Sequence, residues 1–335
     1  MIRTARRALA AGLAVVVAAS LAGCTQLAAS AVDPDECAPA GLPGPASDAV
    51  DLHGRFGESL EPHVSAPVAA EALELTRSGS GSGPVATDAG ILEGRFSILT
   101  LDDGAAILED VPFAAAEDGA LRPLTMQSIG AQLPGAAAAL RCAQGGDRIV
   151  AAMPAAMLFG HDAVAAFSLD PQRTVAFAAD VTRVYPSSAS GRLLPPVDGI
   201  PAVVTAPDGR PGATMPQSAP PNELRTALRV DGFGREIAEG DALTLHVSIF
   251  DWTSGEEIAS TWDDANTVMR ATAGVQPDGL YGVTSDLVGE PSGSQLIAVV
   301  PTELALSQPG PIAPSVATGS TLVLVVDVLA ADPAS

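Results

Sequence analysis

Residues 146–160 read GDRIVAAMPAAMLFG, and residues 293–307 read GSQLIAVVPTELALS. Each phrase leaves a small-residue turn, runs through an apolar alternation and stops at a proline, Pro154 or Pro301. The correspondence extends beyond the phrase. Gly146 pairs with Gly293, Pro154 with Pro301, Thr174 with Thr321 and Asp180 with Asp327, and each pair is 147 residues apart (293 − 146, 301 − 154, 321 − 174, 327 − 180). A constant offset over four landmarks is the signature of an internal repeat. The chain therefore reads as two copies of one fold.

Period-two alternation with β-branched residues predicts strands at 94–101, 147–153 and 174–184 in the first copy, and at 242–252, 294–300 and 321–330 in the second. Residues 64–84 read as a strand entering a Ser/Gly turn. Between the copies, 186–222 is dense in Pro, Gly and Ser, which disfavours helix and central strand alike. It is expected to be a linker, with one extended piece at IPAVVTA (200–206).

The opening 24 residues, MIRTARRALAAGLAVVVAASLAGC, carry Arg3, Arg6 and Arg7 before a short apolar run. This is the layout of an export signal, and Leu21-Ala22-Gly23-Cys24 resembles the bacterial lipobox, whose cysteine is lipidated. More than one attached chain anchors a protein stably to a membrane. The expected organisation is a signal at 1–23, a tether at 24–46, a first unit at 47–185, the linker, and a second unit at 223–331. The expected location is the extracytoplasmic face of the cell membrane, anchored through Cys24.

The full chain has 17 basic and 39 acidic residues, a net charge of −22. Removing the three signal arginines leaves 14 − 39 = −25, with no lysine. Nucleic-acid binding needs clustered cations and is excluded on this balance. Cys37 and Cys142 remain after cleavage, an even pair in an oxidising compartment. They read as a disulfide, or otherwise as two buried thiols. The four histidines are scattered without metal-ligand spacing, and no cofactor motif is present. His246 reads as a packed or edge histidine, and Trp252 and Trp262 as hairpin residues packing on each other or on the sheet.

SAPPNELR (218–225), DGFGREIAEGDALTLHVSIFDWTSGEEIASTWDD (231–264), LVGEPSGSQLIAVVPTEL (287–304) and GSTLVLVVDVL (319–329) follow one another in order. Together they resemble the FKBP-type peptidyl-prolyl isomerases over about 223–331. The first unit is similar through GGDRIVAAMPAAMLFG and TVAFAADV. The tandem order resembles actinobacterial lipoproteins with degenerate pockets. The resemblance implies an α+β fold of two FKBP-like domains, each an antiparallel half-barrel sheet wrapped on one short helix. Those helices would lie near 129–142 and 277–289.

It also implies a partner class, proline-containing segments of exported proteins, and an aromatic prolyl pocket. The pocket positions carried over in the second unit are Val247, Ile258, Ala259, Tyr281, Val283, Leu306 and Leu324. In the first unit they are Ile107, Phe113, Phe159 and Phe177, with Leu108 beside Ile107, Ala136 near the floor position and Phe96 as a further candidate. The second unit has lost most family aromatics, and Ala259 replaces the family's aspartate. Prolyl isomerisation needs no nucleophile or metal, only a site that favours the twisted peptide bond over the planar one. These losses imply weak turnover, or a fold retained for binding or scaffolding alone.

Overall fold

The structure, a computed structural model, describes residues 37–115, 121–165, 169–263, 268–307 and 320–334; the expected signal and Cys24 lie outside them. The first unit opens with α1 (Pro45–Asp48) and a hairpin of β1 (Val50–His53) and β2 (Glu61–Val64). Its main sheet uses β3 (Glu74–Val85), β4 (Ile91–Thr100), β5 (Ala106–Pro112) and β6 (Leu124–Thr125). After α2 (Met126–Gln132) and α3 (Pro134–Leu140) come β7 (Gln144–Pro154), α4 (Ala155–Phe159), α5 (His161–Val164) and β8 (Thr174–Tyr185). The spatial order is β3-β7-β8-β4-β5, with β6 also on β4, so the last strand lies in the middle.

The second unit repeats this order. It contains β9 (Gly191–Leu193), β10 (Ala202–Thr205), β11 (Pro211–Thr214), β12 (Arg225–Gly232), β13 (Ala242–Asp251), β14 (Glu257–Ser260) and β15 (Met269–Thr272). A 3-10 turn at Val283–Leu287, β16 (Gln295–Val300), α6 (Thr302–Ser307) and β17 (Leu322–Asp332) complete it. The sheet runs β14-β13-β17-β16-β12-β9, with β15 on β13. Mostly antiparallel sheets with few helices make this an α+β architecture.

Side chains alternate across each strand. On β8, Val175, Phe177, Ala179 and Val181 face the core beneath α2 and α3, while Ala176 faces the opposite side. That opposite side is also buried, by Ala46, Val50, Leu52, Val64 and Ala70 of the N-terminal segment. Burial on both faces explains why β8 and β17 read as nearly continuous apolar runs.

Three expectations need correction. The proposed linker is no free connection. The β10–β11 hairpin pairs with itself and lays Val203, Ala213 and Met215 over Ile297, Val299, Val323 and Val325 on the outer face of the second sheet. Hydrophobic burial of that face, at about 25 cal/mol per Å², outweighs the weak strand propensity of a proline-rich sequence. The proposed tether likewise docks from residue 37 onward. Cys37 is disulfide-bonded to Cys142 (Cα–Cα 5.7 Å), and the Glu74 carboxylate accepts the N–H groups of Ala46 (2.6 Å) and Ser47 (3.1 Å) at the start of α1.

The single helix per unit is the third correction. In the first unit it breaks between α2 and α3 at Leu133 (φ −135°, ψ 76°), because the following Pro134 disfavours helical backbone there. In the second it shrinks to the 3-10 turn. Asp278 accepts the backbone N–H groups of Leu280 (2.8 Å), Gly282 (3.1 Å) and Thr284 (3.1 Å), which organises a loop instead of an α-helical start.

Each cover is clipped to its sheet by a buried carboxylate at the repeated position. Asp180 accepts Gly57 N–H (2.8 Å) and both Nε (2.7 Å) and Nη2 (2.9 Å) of Arg148. Asp327 accepts Ala189 N–H (2.9 Å) and the Gln295 amide (2.6 Å). Arg148 and Gln295 are themselves 147 apart (295 − 148). The units touch through Ile91, Tyr185, Leu329 and Ala330, and through the Arg183–Asp332 ion pair at 2.6 Å.

Two buried groups set opposing pH dependences in the second unit. Burial raises Asp327 from 3.8 to about 6 and lowers His246 from 6.5 to about 4. Acidification toward pH 4 therefore favours the folded state through Asp327, whose folded carboxyl binds its proton more tightly. It disfavours the folded state through His246, whose unfolded imidazole takes up a proton that the folded one refuses. Asp241, Asp251 and Asp278 are held below the usual carboxylate range with backbone N–H donors among the causes, so the stability they contribute is lost as pH falls through and below that range. In His246→Gln, the urea stability of the second unit should rise by about 2 kcal/mol relative to the parent between pH 7 and 4.5. A variant that follows the parent's pH profile contradicts this assignment.

Candidate functional site

Strand register aligns the two units residue by residue. Phe177 pairs with Ile98, and Leu324 pairs with Ile249. Phe177 and Leu324 are 147 apart (324 − 177), whereas Ile98 and Ile249 are 151 apart (249 − 98). Phe96 is consequently the counterpart of Val247 (247 − 96 = 151). The second unit is four residues shorter (151 − 147) between these strands. That is about one helical turn, in keeping with the 3-10 turn that stands where the first unit has α2 and α3.

In the first unit these positions form an aromatic cluster on the helix-facing side of the sheet. Phe96 stacks on Phe113, with ring centroids 5.5 Å apart and planes 17° apart, and meets Phe177 at 5.6 Å and 32°. Phe159, on α4, is buried in the same core, and Ile107 and Leu108 of β5 pack against it. Ala136 of α3 is fully buried there too. Phe113 is half-buried and forms the cluster's accessible edge. Gly94 permits this arrangement, because a Cβ there would lie 2.7 Å from Phe113 Cε2 and 2.2 Å from the Asp180 carbonyl.

The second unit differs. Val247, Tyr281, Val283 and Leu324 are buried together with Leu280 and Leu287, and Ala259 packs against them. Ile258 and Leu306 stand apart, 40% and 51% exposed. The expected seven-residue pocket is thus divided: four positions are fully incorporated in the core, one lies at its edge and two face outward. Each aliphatic replacement fills volume without offering the flat wall of a ring.

Of the two carboxylates that follow Ile107–Leu108, Glu109 is exposed and Asp110 belongs to the opposite face. It accepts Leu60 N–H (3.0 Å) and pairs with Arg95 at 2.6 Å, holding the cover segment. His246 is also on the outer side, with Nδ1 2.7 Å from Thr261 Oγ1 and its ring stacked at 4.1 Å on Trp262. The two tryptophans do not pack on each other. Trp252 lies under the β10–β11 hairpin with Phe250 and Val325. Among the described residues, no three His, Cys, Asp or Glu side chains gather as a metal site.

No family model matches the chain, and no curated protein matches it. Among solved structures it is similar to the three FKBP domains of wheat FKBP73, at 11% identity and TM-score 0.33, covering 78% of this chain and 94% of that one. A multi-domain immunophilin from Arabidopsis thaliana matches at 18% identity and TM-score 0.28, covering 42% of this chain and 48% of its own. FkpA from Escherichia coli matches at 21% and 0.28, covering 42% and 54%. The matches to these last two span about half of each solved chain.

Proposed function

We propose that the protein binds proline-containing segments of exported polypeptides through its first unit, with the second unit supporting that unit and contributing no prolyl pocket. The observation that carries the reading is the Phe96–Phe113–Phe177 cluster, set at positions where the sequence resemblance expects an aromatic pocket. A prolyl ring laid on the accessible edge of Phe113, which is backed by the buried Phe96 and Phe177, would be held by apolar contact, and the neighbouring imide would lose water. Desolvation and a wall that accommodates the twisted bond are the means by which such a site lowers the rotation barrier of about 18–20 kcal/mol. Leu108 stands where the resemblance expects an aspartate, which supports weak turnover with binding dominant. The lipobox and the Cys37–Cys142 disulfide support an anchored, extracytoplasmic setting.

In the second unit the accessible pocket positions, Ile258 and Leu306, are aliphatic and Tyr281 is buried, which favours a supporting or scaffolding role for that half. The test uses the soluble form starting at residue 25 and a Xaa-Pro tetrapeptide, followed by exchange NMR for binding and isomerisation together. Binding should shift first-unit resonances. Phe113→Ala should weaken it about tenfold, a loss of 1.4 kcal/mol, with little cost in stability because Phe113 is half-exposed. Unchanged cis–trans exchange together with no shift at the first unit would leave the scaffold reading for both halves.

A further inference from the structure

The duplicated clip has diverged in a way that exposes an arginine. In the first unit the edge of Arg148 formed by Nε and Nη2 grips Asp180, and Phe56 lies 5.8 Å from its guanidinium. In the second unit Gln295 takes that place, and the arginine comes from the adjoining strand as Arg229. Its Nη1 donates to Gln295 Oε1 (2.6 Å) and Thr205 Oγ1 (3.1 Å). The other edge, Nε with Nη2, has no hydrogen-bond partner among the described residues.

That side chain borders a cleft of about 480 Å³ between the β10–β11 hairpin and strands β9 and β12. Leu193, Val204, Pro207 and Val230 give it apolar walls. Ser188, only 5% exposed, also lines it, and its hydroxyl has no hydrogen-bond partner among the described residues. The hydroxyl is not among the buried atoms closed off from solvent, so it is free to donate to a ligand in the cleft.

From these features we infer that the cleft is a binding site for a carboxylate attached to a small apolar group. The carboxylate takes two parallel hydrogen bonds from Arg229 Nε and Nη2, the geometry Arg148 uses on Asp180, and one from Ser188 Oγ. Arg229 is already fixed by Gln295 and Thr205, so little side-chain freedom is lost on binding. Charge-assisted, bidentate contacts of this kind are the strong ones. The apolar walls select what is attached. A peptide C-terminus and an acidic side chain both supply this chemistry.

The soluble form starting at residue 25 is titrated with N-acetyl-Ala-Leu bearing a free carboxylate, with its C-terminal amide, with N-acetyl-Ala-Glu-amide and with acetate. Calorimetry gives affinities, and NMR follows the arginine Nε–H signals. One of the two carboxylate peptides should bind saturably and shift the Arg229 signal, and which one binds more tightly identifies the source. Arg229→Gln should lower that affinity about ten- to a hundredfold. Val204→Glu, at a side chain 69% exposed and so tolerant of charge, should lower it about tenfold by repulsion and serves if the first variant misfolds. Equal binding of the neutral amide, acetate binding as tightly as the peptides, or affinities unmoved in the folded variants each overturn the assignment.

Discussion

Replacing Cys37 and Cys142 together by serine should lower the stability of the first unit by about 4–5 kcal/mol. The bond joins residues 105 apart in sequence, and closing a loop near 100 residues is worth about 4.7 kcal/mol in the chain-entropy account. The structure adds reasons for the native state to depend on it. Cys142 lies at φ 65°, an uncommon backbone for a non-glycine residue. It is held there by its N–H to Ala86 O (2.8 Å) and by Arg77 Nη1 on its own carbonyl (2.8 Å). Cys37 begins the segment that leads to α1 and the outer-face cover. Urea unfolding followed by probes in each unit measures the effect. The second unit's midpoint should stay put, and a first-unit loss below about 1 kcal/mol contradicts the expectation.

Asp180→Ala should cost the first unit about 3–5 kcal/mol, because it leaves Arg148 mostly buried without its counter-charge. Asp327→Ala should cost the second unit less, about 1–3 kcal/mol. Here the hydrogen-bonded side chain left behind is the neutral Gln295 amide, and Arg229, which is not bonded to Asp327, borders the cleft. The comparison separates charge from position, since the two carboxylates occupy the same place in the repeat. Equal losses would mean that the cover hairpins, and not the ion pair, set the cost. Hydrogen exchange at Gly57 and Ala189, the two cover amides bound by these carboxylates, should report loosening of the corresponding cover in each variant.

Much of the strand framework was legible because central strands carry a local signal. Gln295–Val300 and Leu322–Asp332 are apolar on both faces, so burial alone forces their composition. The pocket was less legible. A constant offset of 147 aligns Phe177 with Leu324 but places Phe96 opposite Leu243 (96 + 147) instead of Val247. The four residues missing from the second unit are visible only once β4 and β13 are laid on their partners. The exposure of Ile258 and Leu306, and the burial of Tyr281 and Val283, were equally out of reach. Apolar side chains of similar size look alike in sequence whether they line a cleft or fill it.

By itself the sequence determined the duplication, the six central strands and the positions of the two repeated aspartates, because periodicity and burial leave marks on neighbouring residues. The tertiary structure alone decided that residues 186–222 are a cover and not a linker, and that Asp180 and Asp327 are clips. It also decided that Phe96, Phe113 and Phe177 come together in the first unit, and that Phe96 is the counterpart of Val247. Those outcomes depend on contacts between residues as far apart as Gly57 and Asp180. Such contacts are chosen by the apolar area and hydrogen-bond partners that the folded chain brings together, and no local window of sequence records them.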